Sequence, residues 1–293
     1  MKAVVVINPS SGGGKGAIVG GRVRQHFVGS LHEILYVEEA SLATTLVILK
    51  NALTATQFDL LICVGGDGLV HDLLPVLLEF ELPLLVVAAG TGNDFARTLG
   101  LYRKRIPTLL DLPTKSASTR MDVGMIYHSS FETPFVQILS AGFDSVVNEK
   151  ANSFSRVKGK IKYIAAVMQK VWRFRAVDFE ISIDGVRQSR RAMMICVANG
   201  KSYGGGMQIV PQAKNNDGYL DVMLVEEVNP LQLLTVFPRV FLGSHVKHPK
   251  VHFVTGREIL ISGATMAYAD GERIAPLPIR VGLSQRSLQV FRA

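Results

Sequence analysis

Residues 60–97 of the chain read LLICVGGDGLVHDLLPVLLEFELPLLVVAAGTGNDFAR. An apolar run at 60–64 passes directly into Gly65-Gly66-Asp67-Gly68, and a second apolar run at 84–88 passes into the glycine-rich residues 90–97. Between the two runs, leucines recur at helical spacing, at positions 69, 73, 74, 77 and 78. A strand, a glycine turn, a helix and a second strand in this order predict a βαβ unit with parallel strands.

The same alternation extends towards the amino terminus. Residues 2–8 and 33–37 are further apolar runs of strand type, with helical patterns between the runs, so the first half is expected to be an open and mostly parallel α/β sheet. Ligands of such sheets bind outside the carboxyl ends of the strands. The loops at 8–14, 65–72 and 90–97 are therefore the first places to search for a site.

The turn at 65–68 has the composition of a phosphate-binding loop, since a glycine turn that opens a helix leaves backbone N–H groups free for an anion. A plain glycine turn with Asp67 as helix cap is the alternative. No G-x-x-x-x-G-K-[ST] loop occurs, because Gly14-Lys15 is followed by Gly16. No predicted strand ends in G-x-G-x-x-G either. A dinucleotide dehydrogenase is thus disfavoured.

From about Met121 the pattern changes to alternating strands. Residues 178–184 and 191–199 flank the hairpin signal Asp184-Gly185, which predicts antiparallel pairing. Further strands are expected at 219–225, 258–262 and 288–291, and a helix that begins with Pro230 at 230–242. We predict an α/β nucleotide-binding domain at 1–125 and a β-rich domain at 126–293, with the return of the last strand to the first domain left open.

Composition limits the class of protein. With 293 residues, of which 48% are hydrophobic and 19% charged, the chain can bury the cores of two globular domains. A net charge of +8 indicates an anionic partner, either a nucleotide, a nucleic acid or a phospholipid surface. Nucleic acid is disfavoured because the Lys and Arg clusters are scattered and no zinc-finger or RNP-type motif occurs. The sequence does not indicate an oligomeric state, and a homodimer is compatible with it.

Apolar segments and cysteines indicate the cellular location of the protein. No charge-free run approaches the roughly 18 apolar residues of a membrane-spanning helix, and the apolar run at 3–7 is too short for a signal peptide, so the cytoplasm is expected. Cys63 and Cys196 lie in apolar runs and are interpreted as buried structural thiols.

Residues 158–173 predict a basic amphipathic helix. Its apolar positions at helical spacing are Ile161, Ile164, Ala165, Met168, Val171 and Trp172, and lysines and an arginine occupy other faces. Two interpretations remain open: peripheral association of the chain with a membrane surface, or packing of the apolar stripe on the second domain.

Five motifs in one order decide the family resemblance. NPSSG at 8–12, GGDG at 65–68, GTGNDFAR at 90–97, NDGYLD at 216–221 and ADGE at 269–272 together resemble the diacylglycerol kinase catalytic-domain family. That family includes bacterial lipid kinases and the sphingosine and ceramide kinases. The resemblance implies a Rossmann-like first domain, similar to NAD kinases and phosphofructokinases, and an antiparallel β-sandwich-like second domain. It also implies ATP- and Mg²⁺-dependent phosphorylation of a lipid hydroxyl, with nucleotide and lipid meeting in the cleft between the domains.

The resemblance assigns a role to each motif. ATP contacts fall on Asn8, Pro9, Ser10, Ser11 and Gly12, on Gly66, Asp67, Gly68, Leu69, Val70, His71 and Asp72, and on Thr91. The acidic positions that organise catalytic Mg²⁺ through water are Asp67, Asp94 and Asp122. Glu272 corresponds to the general base proposed in bacterial members, and Asp67 to that of sphingosine-type members. Asp217, with the carbonyls of Lys214 and Tyr219, matches a structural Mg²⁺ site.

These roles agree with the chemistry, because phosphoryl transfer needs mainly positioned N–H groups and carboxylates that hold Mg²⁺. The sequence departs from the family where Leu69 replaces the common Thr and His71-Asp72 replaces Asn-Glu, so a phosphate-facing hydroxyl is lost. A diacylglycerol-type lipid is the expected acceptor. The alternatives are a sphingoid-type acceptor, a soluble acceptor such as NAD, and a non-catalytic homologue that binds nucleotide or lipid.

Overall fold

The computed structural model describes residues 1–153 and 160–293. The chain forms two compact units, one made of Met1–Met121 with Arg286–Ala293 and the other of Asp122–Gln285. The first unit therefore contains a segment from the far end of the chain. The last predicted strand of the second half, at 288–291, lies in this segment.

The first unit is an α/β sheet with helices between the strands. Its elements are β1 Lys2–Ile7, α1 Ser11–Phe27, β2 Glu33–Val37, α2 Leu42–Ala55, β3 Leu60–Gly65, α3 Asp67–Glu79, β4 Leu84–Ala88, α4 Asp94–Thr98, α5 Ile106–Leu110, α6 Leu112–Lys115, β5 Thr119–Met121 and the returning strand β17 Leu288–Val290. The strand order is β2-β1-β3-β4-β17-β5. All neighbours pair in parallel except β17 and β5. The four strands predicted for the first half are confirmed.

Apolar composition explains why these strands lie at the centre. All apolar residues of β1 from Ala3 to Ile7 and of β3 from Leu60 to Val64 are buried, as expected for parallel strands covered on both faces. Helix α3 buries Leu69, Leu73, Leu74 and Leu77, the leucines at helical spacing in the sequence.

The second unit is mainly antiparallel. Its elements are β6 Gly124–His128, β7 Phe131–Phe135, β8 Ile138–Gly142, α7 Phe143–Asn152, α8 Lys160–Lys170, β9 Val177–Ile183, β10 Val186–Ala198, β11 Leu220–Glu226, α9 Pro230–Val236, 3₁₀ turns at Phe237–Leu242 and Ser244–Lys247, β12 Val251–Gly256, β13 Ile259–Ser262, β14 Met266–Ala269, β15 Glu272–Pro276 and β16 Ile279–Leu283. The hairpin predicted at Asp184-Gly185 joins β9 to β10, with both residues at positive φ.

Strand β10 explains how one sheet makes a sandwich. Its first half pairs with β9, its second half pairs with β8 and β11, and the register shifts between Ala192 and Met194. Side chains that alternate along the strands, such as Leu139, Ile181 and Val222, meet in one buried cluster between the two layers. This is the β-sandwich-like second domain that the sequence predicts.

The outer face of β8, β10 and β11 is also covered. Ile138, Cys196 and Met223 pack there against residues of the segment 203–213. Helix α7 is joined to this face by buried Asp144, whose carboxylate accepts hydrogen bonds from the Ser140 and Tyr203 hydroxyls. Burial raises the pKa of the Cys196 thiol, and the Asp144 carboxylate adds to the shift. A buried structural thiol is thus confirmed at Cys196, and Cys63 is likewise buried and free.

Two predicted helices differ from the observed ones. Helix α9 ends at Val236 and continues only as a 3₁₀ turn, because Pro238 lacks an N–H group and its ring clashes with an α-helical carbonyl. Of the predicted helix at 158–173, residues 158 and 159 lie outside the described residues and α8 covers Lys160–Lys170. Its buried side chains are Ala166, Val167 and Val171, while Ile164, Met168 and Trp172 are exposed. The apolar positions predicted to form one stripe therefore divide, with Val171 on the buried side and Ile164, Met168 and Trp172 on the exposed side. The Ile161 side chain lies outside the described part of the structure. Within residues 1–153 and 160–293, no helix is long and apolar enough to cross a bilayer.

Candidate active site

Three loops meet at the carboxyl edge of the parallel sheet. The N–H group of Asn8 after β1 donates to the Val64 carbonyl in β3 at 3.0 Å, and the N–H group of Ala89 after β4 donates to the Gly65 carbonyl at 2.8 Å. The Asn8 side chain in turn accepts hydrogen bonds from the backbone and hydroxyl of Ser10. The loops that the sequence assigned to nucleotide binding are thus brought together within one unit.

Glycines allow this close approach. A Cβ atom on Gly66 would lie 2.9 Å from Gly90 Cα, and one on Gly12 would lie 2.2 Å from the Ala89 carbonyl oxygen. Gly12 also has a φ of +60°, in the left-handed region. Any side chain at these positions would push the loops apart, so backbone groups line the edge of the sheet.

The first loop leads into α1 through Pro9, Ser10 and Ser11. The Pro9 carbonyl accepts from the Ala17 N–H, and the Ser11 N–H donates to the Asn8 carbonyl. Ser10 is exposed and Ser11 is half-buried. The three glycines 12–14 all have positive φ, so the helical conformation begins after them. The turn therefore presents short polar side chains and bare backbone at the sheet edge.

The second loop opens α3. Its first α-helical hydrogen bond runs from the Val70 N–H to the Gly66 carbonyl, so the N–H groups of Gly68 and Leu69 precede the intrahelical ladder. Half-buried His71 and Asp72 follow in the first two turns. A helix N-terminus with these N–H groups favours a bound anion.

Leu69, the residue that replaces the family's common Thr, is turned inward. It is buried, and a Cβ atom on Gly65 would lie 2.6 Å from its Cδ2. The side chain therefore packs on the end of β3 and does not face the loop opening. The hydroxyl is absent, but the backbone N–H of Leu69 keeps its place at the start of α3.

Two of the predicted acidic residues lie at this edge. One carboxylate oxygen of Asp67 accepts the Phe95 N–H at 2.9 Å, so Asp67 connects the start of α3 with the start of α4. Asp94 is buried in the first turn of α4. The Asp67 and Asp72 carboxylates, after burial, raise the pKa of the Cys63 thiol beneath them. Thr91 is exposed in the third loop, whose shape depends on Asn93 at a φ of 55° and its two hydrogen bonds to Gly90.

The other predicted residues lie in the second unit, where Asp122 is a junction. Its N–H donates to the Asn215 carbonyl at 2.7 Å and its carboxylate accepts the Gly218 N–H at 2.9 Å. The side-chain amide of fully buried Asn199 donates to the carbonyls of both Asp122 and Val136. Asp122 is thereby fixed to the loop that carries the predicted structural cation site.

That loop is rich in oxygen acceptors. Exposed Asp217 accepts the Tyr219 N–H, and mostly buried Asp221 accepts the Lys214 N–H. Burial, and then the Asp217 carboxylate, raise the pKa of Asp221 above its ordinary value. Within 1–153 and 160–293, no three His, Cys, Asp or Glu side chains form a metal cluster. Two carboxylates that interact on one loop are the kind of oxygen ligand that a hard cation takes while it keeps several waters. The carbonyls of Lys214 and Tyr219 remain predicted ligands.

Glu272 begins β15, opposite Ala269 in β14. The turn between them, Asp270-Gly271, has positive φ at both residues. The Asp270 carboxylate accepts N–H groups of three consecutive residues, Val136, Gln137 and Ile138. Glu272 is exposed, and its side chain makes no hydrogen bond or ion pair in the described part of the chain. A rigid turn therefore presents an available carboxylate.

Sequence reasoning did not assign roles to Asn199, Asp221, Asp270 or Asn93. Asp221 and Asp270 belong to the NDGYLD and ADGE motifs. Their positions close to Asp217 and Glu272 in the sequence were the signal that could have indicated a role for them. Asn199 lies 77 residues from Asp122 and 63 from Val136, and nothing local to the sequence indicates that it connects them.

Known proteins share both units. The diacylglycerol kinase catalytic domain model matches residues 2–126, and the model of the YegS C-terminal NAD kinase beta sandwich-like domain matches residues 137–292. A diacylglycerol kinase of Mycobacterium tuberculosis is 32% identical over 247 residues, which cover 83% of this chain and 80% of that protein. A diacylglycerol kinase of Staphylococcus saprophyticus is 27% identical over 305 residues, covering 99% of this chain and 95% of the relative.

The fold is also found in a crystal structure of a diacylglycerol kinase from Bacillus anthracis str. Sterne. The two chains superpose with a TM-score of 0.72 at 20% identity, over 100% of this chain and 97% of that one. Two family models, a relative above 30% identity and the same two-part fold lead to one assignment. The chain belongs to the diacylglycerol kinase family and is a kinase that phosphorylates an alcohol.

Proposed function

We propose that this protein transfers the γ-phosphoryl group of ATP, with Mg²⁺, to a hydroxyl of diacylglycerol or a closely related lipid. The observation that carries the proposal is the convergence of the three glycine-rich loops on the start of α3, in a chain of the diacylglycerol kinase family. The acceptor is inferred from the curated relatives that are named diacylglycerol kinase.

The nucleotide phosphates would lie against backbone rather than side chains. Residues 8–12 and Gly66–Asp72 supply N–H groups at the sheet edge, and the exposed Thr91 adds a hydroxyl in the third loop. Positioned N–H groups hold the phosphates and neutralise part of their charge, which is most of what phosphoryl transfer requires from a protein.

Carboxylates of this chain would organise the metal. Asp67, Asp94 and Asp122 are the carboxylates that the family resemblance assigns to a hydrated Mg²⁺, and Asp217 with the Lys214 and Tyr219 carbonyls is the set that it assigns to a second, structural cation. When bound, Mg²⁺ supplies charge neutralisation at the transferring phosphoryl group.

Glu272 is proposed as general base. The proton of the acceptor hydroxyl would pass to its carboxylate while the hydroxyl oxygen forms the bond to phosphorus, and ADP would leave with the bridging oxygen. Asp67 is the weaker candidate, because one of its two oxygens already accepts the Phe95 N–H. Glu272 has both oxygens available in the described part of the chain.

The decisive experiment is phosphorylation of a panel of acceptors. The protein is incubated with γ-labelled ATP, Mg²⁺ and, separately, diacylglycerol, monoacylglycerol, ceramide, sphingosine and NAD, and the labelled product is identified. Label in phosphatidic acid supports the proposal. Label in NAD alone would favour a soluble acceptor, and ATP binding without any labelled product would favour a non-catalytic homologue.

Glu272→Gln tests the assigned base. It retains shape and hydrogen bonding but removes the basic oxygen, so turnover should fall by roughly 10²-fold or more while ATP affinity stays within about twofold. Glu132→Gln, at an exposed carboxylate of β7, is the matched control and should retain turnover. Normal turnover of Glu272→Gln would move the assignment to Asp67.

A further inference from the structure

Helix α8 has apolar side chains on two sides. Ala166, Val167 and Val171 are buried against α7 and α9, in a cluster that includes Val147 and Leu233. On another side, Ile164, Met168 and Trp172 are 41%, 48% and 57% exposed. These three residues are spaced four apart and follow one line along the helix and the turn after it. We name this set of three residues the apolar stripe.

The apolar stripe is not needed to hold the helix in place. The buried side already packs α8 on the unit, and the Phe143 and Phe174 rings, 5.2 Å apart, join the start of α7 to the turn after α8. Single exposed apolar residues are common on protein surfaces, but a continuous row with a tryptophan indicates an interaction surface.

Cations lie at one end of the apolar stripe. Lys170, Arg173 and Arg175 lie at the end of α8 and just after it, and none of them forms an ion pair among the described residues. Trp172 and Arg175 also line a groove of about 730 Å³. The acidic residues of this groove are already paired, Glu227 with Arg191 of the groove and Glu226 with His252.

We propose that the apolar stripe is the face with which this protein rests on an anionic lipid bilayer. Trp172 would lie at headgroup depth, Ile164 and Met168 would enter the acyl boundary, and the three cations would contact anionic headgroups. The proposal depends on the proposed function, because a lipid acceptor resides in a bilayer. Three half-exposed side chains are too few for a stable protein–protein interface, which needs roughly 800 Å² per partner.

Trp172 is the only tryptophan of the chain, so its fluorescence reports directly on the apolar stripe. We expect vesicles of phosphatidylcholine with phosphatidylglycerol to shift its emission to the blue, and lipids brominated in the acyl chain to quench it. Phosphatidylcholine alone should have a weaker effect. Raising the salt from roughly 0.05 to 0.5 M should weaken binding, because salt screens the headgroup contacts.

Charge substitutions test the apolar contacts and the cationic contacts of the proposed membrane surface separately. The double variant Ile164→Glu with Met168→Glu, and the double variant Arg173→Glu with Arg175→Glu, should each weaken vesicle binding by at least about tenfold while keeping the Trp172 probe. The matched controls are Leu31→Glu, at a fully exposed leucine of the other unit, and Arg187→Glu, at an exposed arginine of β10. Both controls should bind vesicles like the parent, and circular dichroism verifies that each variant is folded.

A water-soluble, short-chain diacylglycerol separates this proposal from the proposed function. The double variants should phosphorylate it like the parent but lose activity on diacylglycerol embedded in vesicles. If the parent protein phosphorylates no lipid but shows the Trp172 shift, the proposed lipid kinase function is refuted and the proposed membrane-binding surface is supported. Vesicle binding without a Trp172 shift, no vesicle binding, or an emission shift caused by protein concentration alone would overturn the surface proposal.

Discussion

At the scale of single residues, the contact between Gly66 and Gly90 is the strictest requirement of the nucleotide site. A Cβ atom on Gly66 would approach Gly90 Cα to 2.9 Å, closer than real Cβ atoms come to backbone. Gly66→Ala should therefore separate the loops after β3 and β4 and weaken ATP binding by roughly tenfold or more, with about 1–3 kcal/mol of lost stability. Isothermal titration with ATP on the folded variant measures the effect.

Gly21→Ala provides the comparison for this glycine. Gly21 lies inside α1, and a Cβ atom there would have no neighbour within 4 Å. The substitution should leave ATP affinity unchanged and raise stability by up to about 1 kcal/mol, because alanine favours a helix more than glycine does. Equal ATP affinity in Gly66→Ala, Gly21→Ala and the parent would show that the phosphates bind elsewhere.

We expect Asp221 to make the free energy of unfolding depend on pH and on a divalent cation. Its folded-state pKa is raised above the ordinary 3.8 by burial and by Asp217, so the folded state holds the proton more tightly than the unfolded state. The stability from this group is complete below pH 3.8 and is lost as pH rises through the raised pKa. Added Mg²⁺ should restore the stability that is lost at the higher pH.

Thermal unfolding between pH 4 and 8, in EDTA and in Mg²⁺, measures this effect. Asp221→Asn should remove the part of the pH dependence that is seen in EDTA and should also reduce the stabilisation by Mg²⁺. The difference between parent and variant isolates Asp221 from the other carboxylates. An Asp221→Asn protein that keeps both dependences would show that Asp221 neither causes the pH dependence nor takes part in binding the cation.

At the scale of elements, the hairpin of β14 and β15 is held to β8 by one side chain. The Asp270 carboxylate accepts three N–H groups, whereas an asparagine offers a single oxygen and an amine that opposes the donors. Asp270→Asn should cost about 1–3 kcal/mol of stability. Turnover should fall as well, because Glu272 directly follows the turn.

The hairpin of β9 and β10 offers the matched control. Asp184 also occupies an Asp-Gly turn at positive φ, and its carboxylate accepts the N–H groups of Arg257 and Glu258, which lower its pKa. Asp184→Asn should lower the melting temperature without changing turnover at a temperature where the protein is folded. If Asp270→Asn likewise loses stability but keeps full turnover, the Asp270 turn does not position a catalytic group.

At the scale of the whole molecule, the first unit depends on the end of the chain. Strand β17 lies between β4 and β5, with Leu288 and Val290 buried, and Arg286 donates to the carbonyls of Leu78 and Glu79 at the end of α3. Removal of residues 286–293 should therefore destabilise the α/β unit and abolish ATP binding. Removal of 292–293 alone retains β17 and should retain binding.

Limited proteolysis distinguishes the two truncations. The chain that ends at residue 285 should be cleaved rapidly within 1–121, whereas the chain that ends at residue 291 should resist like the parent. If a protein that lacks 286–293 still binds ATP with normal affinity, β17 is not required for the stability of the α/β unit or for its nucleotide site.

The sequence by itself determined the features that depend on neighbours along the chain. Apolar runs and helical spacing located β1 to β4 and α3, glycine and asparagine clusters marked the loops after them, and Asp-Gly marked the hairpin turns. These signals are local, since side-chain periodicity and left-handed turns involve only a few consecutive residues. The family motifs lie on these same loops and turns.

The tertiary structure alone decided which partners distant residues find. It turned Leu69 inward, buried Val167 in place of Met168 on α8, and placed β17 between two strands from the first half of the chain. The Asp270 carboxylate reaches residues more than 130 positions away, and Asn199 connects Asp122 with Val136. Such contacts satisfy buried polar groups and fill buried volume across the fold, and no pattern within a short window of sequence encodes either requirement.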